Sequence, residues 1–160
     1  MKNIPSCNIF KRKDGSEAVF TSDVFDEKGY RRTNDDLNII KLPTSDEIIA
    51  NTIKKSIEIS KLKIHINSAD YKGGLSQIKD MKSNKILHRD WYSISISLNE
   101  AKDDCITNHF IIKSGYTFNT RKNGVGYKSY PSFHLPLTAT DEEIGEAFRK
   151  AFDAIDGITG

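Results

Sequence analysis

The sequence predicts an α+β fold in a single domain spanning residues 1–160, a largely antiparallel or mixed sheet with two main helices. Three observations carry that prediction. Much of the chain alternates polar and apolar residues, the period of a half-buried strand. Two segments, near 45–60 and 140–157, instead repeat apolar residues every three to four positions behind helix-capping residues. The length of 160 residues is near the common size of one domain. A chain of that size can bury roughly 70% of its unfolded surface and needs no metal or disulfide staple.

Asn8-Ile9-Phe10 and Ala18-Val19-Phe20 flank Lys13-Asp14-Gly15-Ser16, whose Asp-Gly pair is a strong short hairpin signal. A second turn is expected at Asp26-Glu27-Lys28-Gly29, and Asn34-Asp35-Asp36 reads as a polar loop. An apolar run through Leu37, Ile39 and Ile40 then reaches Leu42-Pro43, where proline ends the strand. Thr44 and Glu47 have capping-box spacing, and Ile49, Ile53 and Ile57 turn one helical face inward between about Ser45 and Ser60. Lys61 to Ile66 alternates like a strand, and Gly73-Gly74 precedes a short helix from Leu75 to Met81.

Trp91 to Leu98 is the clearest strand. Tyr92, Ile94, Ile96 and Leu98 share one face, while Trp91, Ser93, Ser95 and Ser97 share the other, which the serines mark as exposed or lightly covered. His109 to Ile112 gives another strand. Tyr116 to Arg121 and Tyr127 to Leu135 read as a hairpin closed by 122–126, with Gly124-Val125-Gly126 as its tight turn. Thr140 and Glu143 repeat the capping-box spacing before a helical face of Ile144, Ala147, Phe148, Ala151 and Ile155, with Gly157 as its stop.

The two helix entries echo each other. Leu42-Pro43 precedes Ser45-Asp46-Glu47 and a helix with Ile49, Ile53-Lys54-Lys55 and Ile57. Leu135-Pro136 precedes Thr140-Asp141-Glu142 and a helix with Ile144, Phe148-Arg149-Lys150 and Phe152. Two pseudo-repeated halves would place both helices on one side of a shared sheet; any capped strand-to-helix junction would also favour these residue types.

Composition excludes several function classes. No stretch approaches the ~20 apolar residues of a membrane span, and the N-terminal segment lacks the apolar core of a secretory signal. A cytoplasmic location is therefore expected, with Cys7 and Cys105 as free thiols. The formal charge of +2, from 24 basic and 22 acidic residues, is too balanced for an obvious nucleic-acid protein. Lys11-Arg12-Lys13, Arg31-Arg32 and Lys54-Lys55 read as solvated faces.

None of His65, His88, His109 and His134 has zinc-ligand spacing, so neither a metal nor a cofactor is expected. His88-Arg89-Asp90 has the letters of a kinase catalytic loop, in a chain too short for a kinase and without its other motifs. The carboxylate pairs Asp35-Asp36, Asp103-Asp104 and Glu142-Glu143 do not converge on one substrate, because strand neighbours face opposite ways and acids at a helix start meet the dipole. No catalytic residue is assigned. The rival reading is a small ribonuclease using His109, Lys113 and Tyr116, or a plain RNA-binding module.

The segment from Tyr116 to Phe133 interleaves aromatic and basic residues, including Arg121 and Tyr127. Tyrosine and arginine are enriched at protein interfaces, and the same mixture stacks bases. A strand edge there can also pair with a partner's strand.

The length, the strand-rich first half and the two Leu-Pro junctions resemble the immunity proteins of bacterial contact-dependent growth inhibition (CdiI-type). The second junction carries most of the likeness: Leu135-Pro136-Leu137-Thr138, then Thr140-Asp141-Glu142-Glu143-Ile144-Gly145-Glu146-Ala147-Phe148. The resemblance implies a cytoplasmic α/β protein without enzymatic activity. It would bind the cognate C-terminal toxin domain of a CdiA-type exported protein, often a nuclease acting on transfer RNA, and occlude its active site. It further implies no membrane and no direct nucleic-acid contact, and leaves room for a third host protein in the complex. Inhibitors of nucleases present acids to a basic cleft. On that basis Asp35, Asp36, Glu100, Asp103 and Asp104, with Tyr116, Arg121 and Tyr127, are the candidate partner-binding residues.

Overall fold

The structure, a computed structural model, describes residues 4–62, 65–99, 109–119, 125–129 and 132–159. Strands β1 (Ser6–Arg12) and β2 (Glu17–Phe20) form the expected hairpin, with Gly15 at φ 79° in its turn. After Thr21-Ser22 the chain leaves this sheet and forms β3 (Asp23–Asp26) and β4 (Arg31–Thr33) about the second turn. It returns as β5 (Asn38–Lys41) beside β2. Helix α1 (Asp46–Lys61) follows, and β6 (His65–Ile66) pairs parallel with β3. The alternating run from Lys61 is thus a strand only at its end, since Lys61 closes the helix and Leu62 is its C-cap.

Two 3-10 turns, Gly74–Gln77 and Lys79–Met81, replace the expected helix over 75–81. A short α2 (Asn84–Asp90), which the sequence reading left out, leads into β7 (Trp91–Asn99). Next come β8 (His109–Asn119), β9 (Val125–Ser129), β10 (Phe133–Pro136) and α3 (Asp141–Thr159). The hairpin expected of 116–135 is present in the pairing from Gly115↔Ser129 to Asn119↔Val125, but its first arm belongs to a longer strand and its second is split into β9 and β10. His109 to Asn119 is one continuous strand, along which β10 and β9 pair in succession. Gly115 does not break it, because it sits on a rung between Ser93 and Ser129. Val125 and Gly126 belong to β9 rather than to a turn, and Gly157 lies inside α3.

The main sheet has seven strands in the order β10-β8-β7-β1-β2-β5, with β9 also on β8, and every pairing in it is antiparallel. A second sheet of three strands has the order β4-β3-β6. The centre is the β1–β7 ladder, seven rungs from Ser6↔Ser97 to Arg12↔Trp91. Outward from it lie β2 and β5 on one side and β8 and β10 on the other. Running outward from the centre, β1-β2-β5 with α1 in the first half is matched by β7-β8-β10 with α3 in the second, a pseudo-twofold in strand order to which the second half adds β9 and α2. Both helices cover the same face, where Ile49, Ile53 and Ile57 of α1 and Ile144, Phe148 and Phe152 of α3 meet Ile9, Phe20, Ile94, Ile96 and Ile112. Burying each such side chain stabilises the fold by roughly 1.5–3 kcal/mol.

The helix contact repeats the internal symmetry. Arg149 pairs with Asp46, and Lys54 pairs with Asp141 at 3.2 Å. The same sequence offset separates the two acids and the two bases, so the bridges exchange under the twofold. The second capping box is present: the Glu143 amide donates to Thr140 Oγ1 at 3.2 Å and the Thr140 hydroxyl reaches the Glu143 carboxylate at 3.1 Å. At α1 the cap is Ser45 instead of Thr44, its hydroxyl accepting from the Ile48 amide at 3.3 Å.

The opposite face of the sheet is covered in part. Trp91 and Val19 are buried there with Met81, under Phe10, Leu75, Ile78 and Leu87, while Ser93, Ser95 and Ser97 are only half-buried. Arg12 clamps this layer. Its guanidinium lies 4.3 Å from the Trp91 ring centroid and binds Glu17 at 2.6 Å and Asp80 at 3.1 Å. Lys11 and Lys13 likewise lean over Phe152 and Tyr92, at 5.5 and 5.0 Å. This basic triplet is aromatic packing rather than a freely solvated face.

Candidate functional site

The small sheet carries exposed aromatic–cation contacts about its β3–β4 turn. The turn starts from Asp26, which is only 1% exposed. The amides of Lys28 and Tyr30 donate to its Oδ1 at 2.9 Å each, and Arg32 Nε donates to Oδ2 at 3.2 Å. Burial pushes this carboxyl up, but the hydrogen bonds from Tyr30, Arg32 and Lys28 outweigh it and hold the group below its ordinary value. Gly29 at φ 83° completes the turn.

The fixed turn displays Tyr30, 61% exposed. The Arg32 guanidinium lies 5.9 Å from the Tyr30 ring centroid and that of Arg31 lies 5.9 Å from Phe25. On its inner side Arg31 Nη1 is 3.8 Å from Asp23, a buried carboxylate that also accepts from Ser6 Oγ and, at 3.4 Å, from Asn8 Nδ2. Burial pushes the Asp23 carboxyl up, and the Ser6 hydrogen bond and the Arg31 charge only partly oppose it. Both arginines are thus anchored from below by acids and remain about half exposed.

Two further acids fasten the neighbouring segment. Glu27 accepts from the amide and hydroxyl of Ser68. Asp35 accepts from the amides of Lys72 and Gly74 at 2.8 Å each, and its carbonyl accepts from Gln77 Nε2 at 2.9 Å. Of the acid pair picked from sequence, Asp35 therefore spends its carboxylate inside the fold, whereas Asp36 is exposed. Close to it in sequence, on the edge strand β5, Ile39 is 55% exposed.

Tyr116 and Tyr127 stand on adjoining rungs of the β8–β9 ladder, opposite Lys128 and Thr117. Beyond Gly115 the described pairing of β8 is with β9 alone, so this stretch is a two-stranded ribbon. Glu100, Asp103, Asp104 and Arg121 lie outside the described residues. Among the described candidates, Asp35 and Asp36 lie apart from Tyr116 and Tyr127. Four strand steps of ~4.8 Å put β8 roughly 19 Å from β5.

His109, Lys113 and Tyr116 all lie on extended β8. Seven residues at ~3.3 Å set His109 and Tyr116 roughly 23 Å apart, too far for one ribonuclease site. Asp90 of the kinase-like triplet ends α2 and pairs with its neighbour Arg89 at 2.9 Å. Among the described residues no three His, Cys, Asp or Glu side chains converge as metal ligands, and no helix is long and apolar enough to cross a membrane. Cys7 is fully buried and its thiol is pushed up by burial and by Asp23.

Sequence reasoning located the 26–29 turn and Arg31-Arg32 but did not join them. The available signal was an Asp two residues before Lys28 and four before Tyr30, the spacing of a side chain that gathers turn amides.

Two solved structures share this architecture over nearly the whole chain. One is a chain of the CdiA-CT/CdiI toxin and immunity complex from Yersinia pseudotuberculosis, with a TM-score of 0.60, 12% identity and coverage of 95% of this chain and 97% of that one. The other is a protein of unknown function from Neisseria meningitidis, with a TM-score of 0.55, 10% identity and coverage of 93% and 94%. No protein-family model and no curated protein matches the sequence. At these identities the likeness is one of fold.

Proposed function

We propose that this chain is an immunity protein acting in the cytoplasm, a single domain that binds a cognate toxin domain and occludes its active site. The observation that carries the reading is an architecture shared end to end with a chain of a toxin and immunity complex. The turn at Tyr30 supports it. An exposed tyrosine on a hydrogen-bonded turn, beside the anchored Arg32, has the residue types that dominate interface energetics, and its order costs little on binding. Tyr30, Arg31, Arg32 and Asp36 are assigned to the interface, with the β8–β9 ribbon as a second contact through Tyr116 and Tyr127. Inhibition is by coverage and needs no chemistry from this chain. Charge complementarity and clashes with other toxins would make recognition cognate-only. The toxin of this reading is a nuclease, the C-terminal domain of a CdiA-type protein, and a third host protein has room to join.

The test is purification of the tagged chain from its own cells at high salt. A stoichiometric protein fragment that is toxic when expressed alone, and harmless with this chain, is the expected result. Recovery of RNA alone, in an amount that falls steeply with salt, would replace this reading with RNA binding.

A further inference from the structure

Where the β1–β2 turn, the β5–α1 junction and α3 meet there is a cleft of about 190 Å³. Leu42, Pro43, Ile49 and Phe148 give it apolar walls, and Lys11 and Arg149 bring two cations to it. The cations differ in state. Arg149 is already held by both carboxylate oxygens of Asp46. Lys11 Nζ sits 5.5 Å from the centroid of fully buried Phe152. Among the described residues no carboxylate lies within ion-pair distance of it.

We infer that this cleft receives a glutamate side chain of the protein partner. Size limits the occupant, because sites for whole small molecules begin near ~300 Å³. One side chain is what the space takes. Charge selects among side chains: an ammonium with an aromatic neighbour but no described carboxylate calls for a single carboxylate, and the apolar walls call for an aliphatic stem to carry it. The second cleft, about 250 Å³ between β10 and α3, shows the contrast. There Lys150 already pairs with Glu146 at 3.0 Å, so that cation is matched from within.

This inference rests on the partner being a protein, but its first test uses the chain alone. N-acetyl-glutamate N-methylamide is titrated into the labelled protein while the amide resonances of Gly15, Thr44 and Ile49 are followed. Saturable shifts confined to that cleft are expected. At least tenfold weaker binding is expected for the glutamine analogue and for Lys11→Gln, whose remaining spectrum shows that it is folded. Absence of saturable shifts, an unchanged response in Lys11→Gln, or equal binding of inorganic phosphate would each overturn the glutamate site. None of those results touches the immunity reading, which stands or falls on the toxin co-purification. With a captured toxin, Lys11→Gln weakens the complex about tenfold, whereas Lys55→Gln, exposed on α1, leaves it unchanged.

Discussion

At the scale of single residues, the buried acids of the small sheet explain how a short turn can present a large side chain in one conformation. Tyr30 contributes little to the core, so Tyr30→Ala should change stability by no more than ~0.5 kcal/mol. Toxin binding by the same variant should fall by at least ~2 kcal/mol, near thirtyfold, as for an interface anchor. Thermal denaturation and titration calorimetry against the captured toxin separate the two. Equal affinity of variant and parent would move the interface elsewhere. The acids beneath the turn titrate with opposite consequences. Asp23 has its folded pKa raised, so its contribution is fully present below the ordinary carboxylate value and is lost as pH rises through the raised one. Asp26 has its folded pKa lowered, so its contribution is present above the ordinary value and is lost as pH falls through the lowered one. Asp23→Asn should therefore flatten the stability curve on its neutral side. Asp26→Asn should lower Tm near neutrality, where it also places an amide against Arg32, and flatten the acidic side. Tm measured from pH 3 to 8 reads both effects, and a parental profile in Asp23→Asn would show that its carboxyl titrates normally.

At the scale of elements, close approach of the two helices is set by a glycine in ordinary helical backbone. A Cβ built on Gly145 would lie 2.8 Å from the Asp46 Cβ, inside contact distance. Replacing a mid-helix glycine by alanine usually stabilises by roughly 0.5–1 kcal/mol. Here the clash should win, and Gly145→Ala should destabilise by about 1–3 kcal/mol, the range of overpacking, as read by urea denaturation. A stabilised variant would mean the helices slide apart freely. The ion pairs beside this crossing are partly exposed and worth at most ~1 kcal/mol each, so packing decides the outcome. These long helices were legible because one apolar stripe repeats through three or more turns, and β7 because four apolar residues alternate with serine. The missed α2 has seven residues, too few for a helical period to show. The strands expected at 109–112 and from 116 are one continuous β8, because two flanking ladders carry the pairing through 113–115. Asp35 was legible as a polar loop residue, but not as a clamp, because its partners Lys72 and Gly74 lie 37 and 39 residues away. The Tyr30 turn was half-legible for the opposite reason: its hydrogen bonds are local, and only the burial of Asp26 is not.

At the scale of the whole molecule, the pseudo-twofold makes the two halves interdependent. Neither half owns a complete sheet, since the central rungs pair β1 of the first with β7 of the second, and the helix face that closes the core takes α1 from one and α3 from the other. Leu-Pro junctions announced this arrangement in the sequence. The departure of β3 and β4 into their own sheet did not show there, because it depends on β6 arriving about forty residues later. Such a layout predicts one cooperative unit, and the chain carries its own reporter. Trp91 is the single tryptophan and is buried on the face away from α1 and α3, while helical circular dichroism reports mainly those two helices. If the sheet couples its two faces, fluorescence and circular dichroism should follow the same urea curve, with the same midpoint and slope, as two-state unfolding requires. Fluorescence that changes at lower urea would show that the layer of 74–90 melts by itself and that the single-domain reading holds only for the helix side. Coincident curves would also fix how the binding variants are judged, because any loss of stability at Tyr30 or Lys11 would then appear in both signals and could not pass for a lost contact.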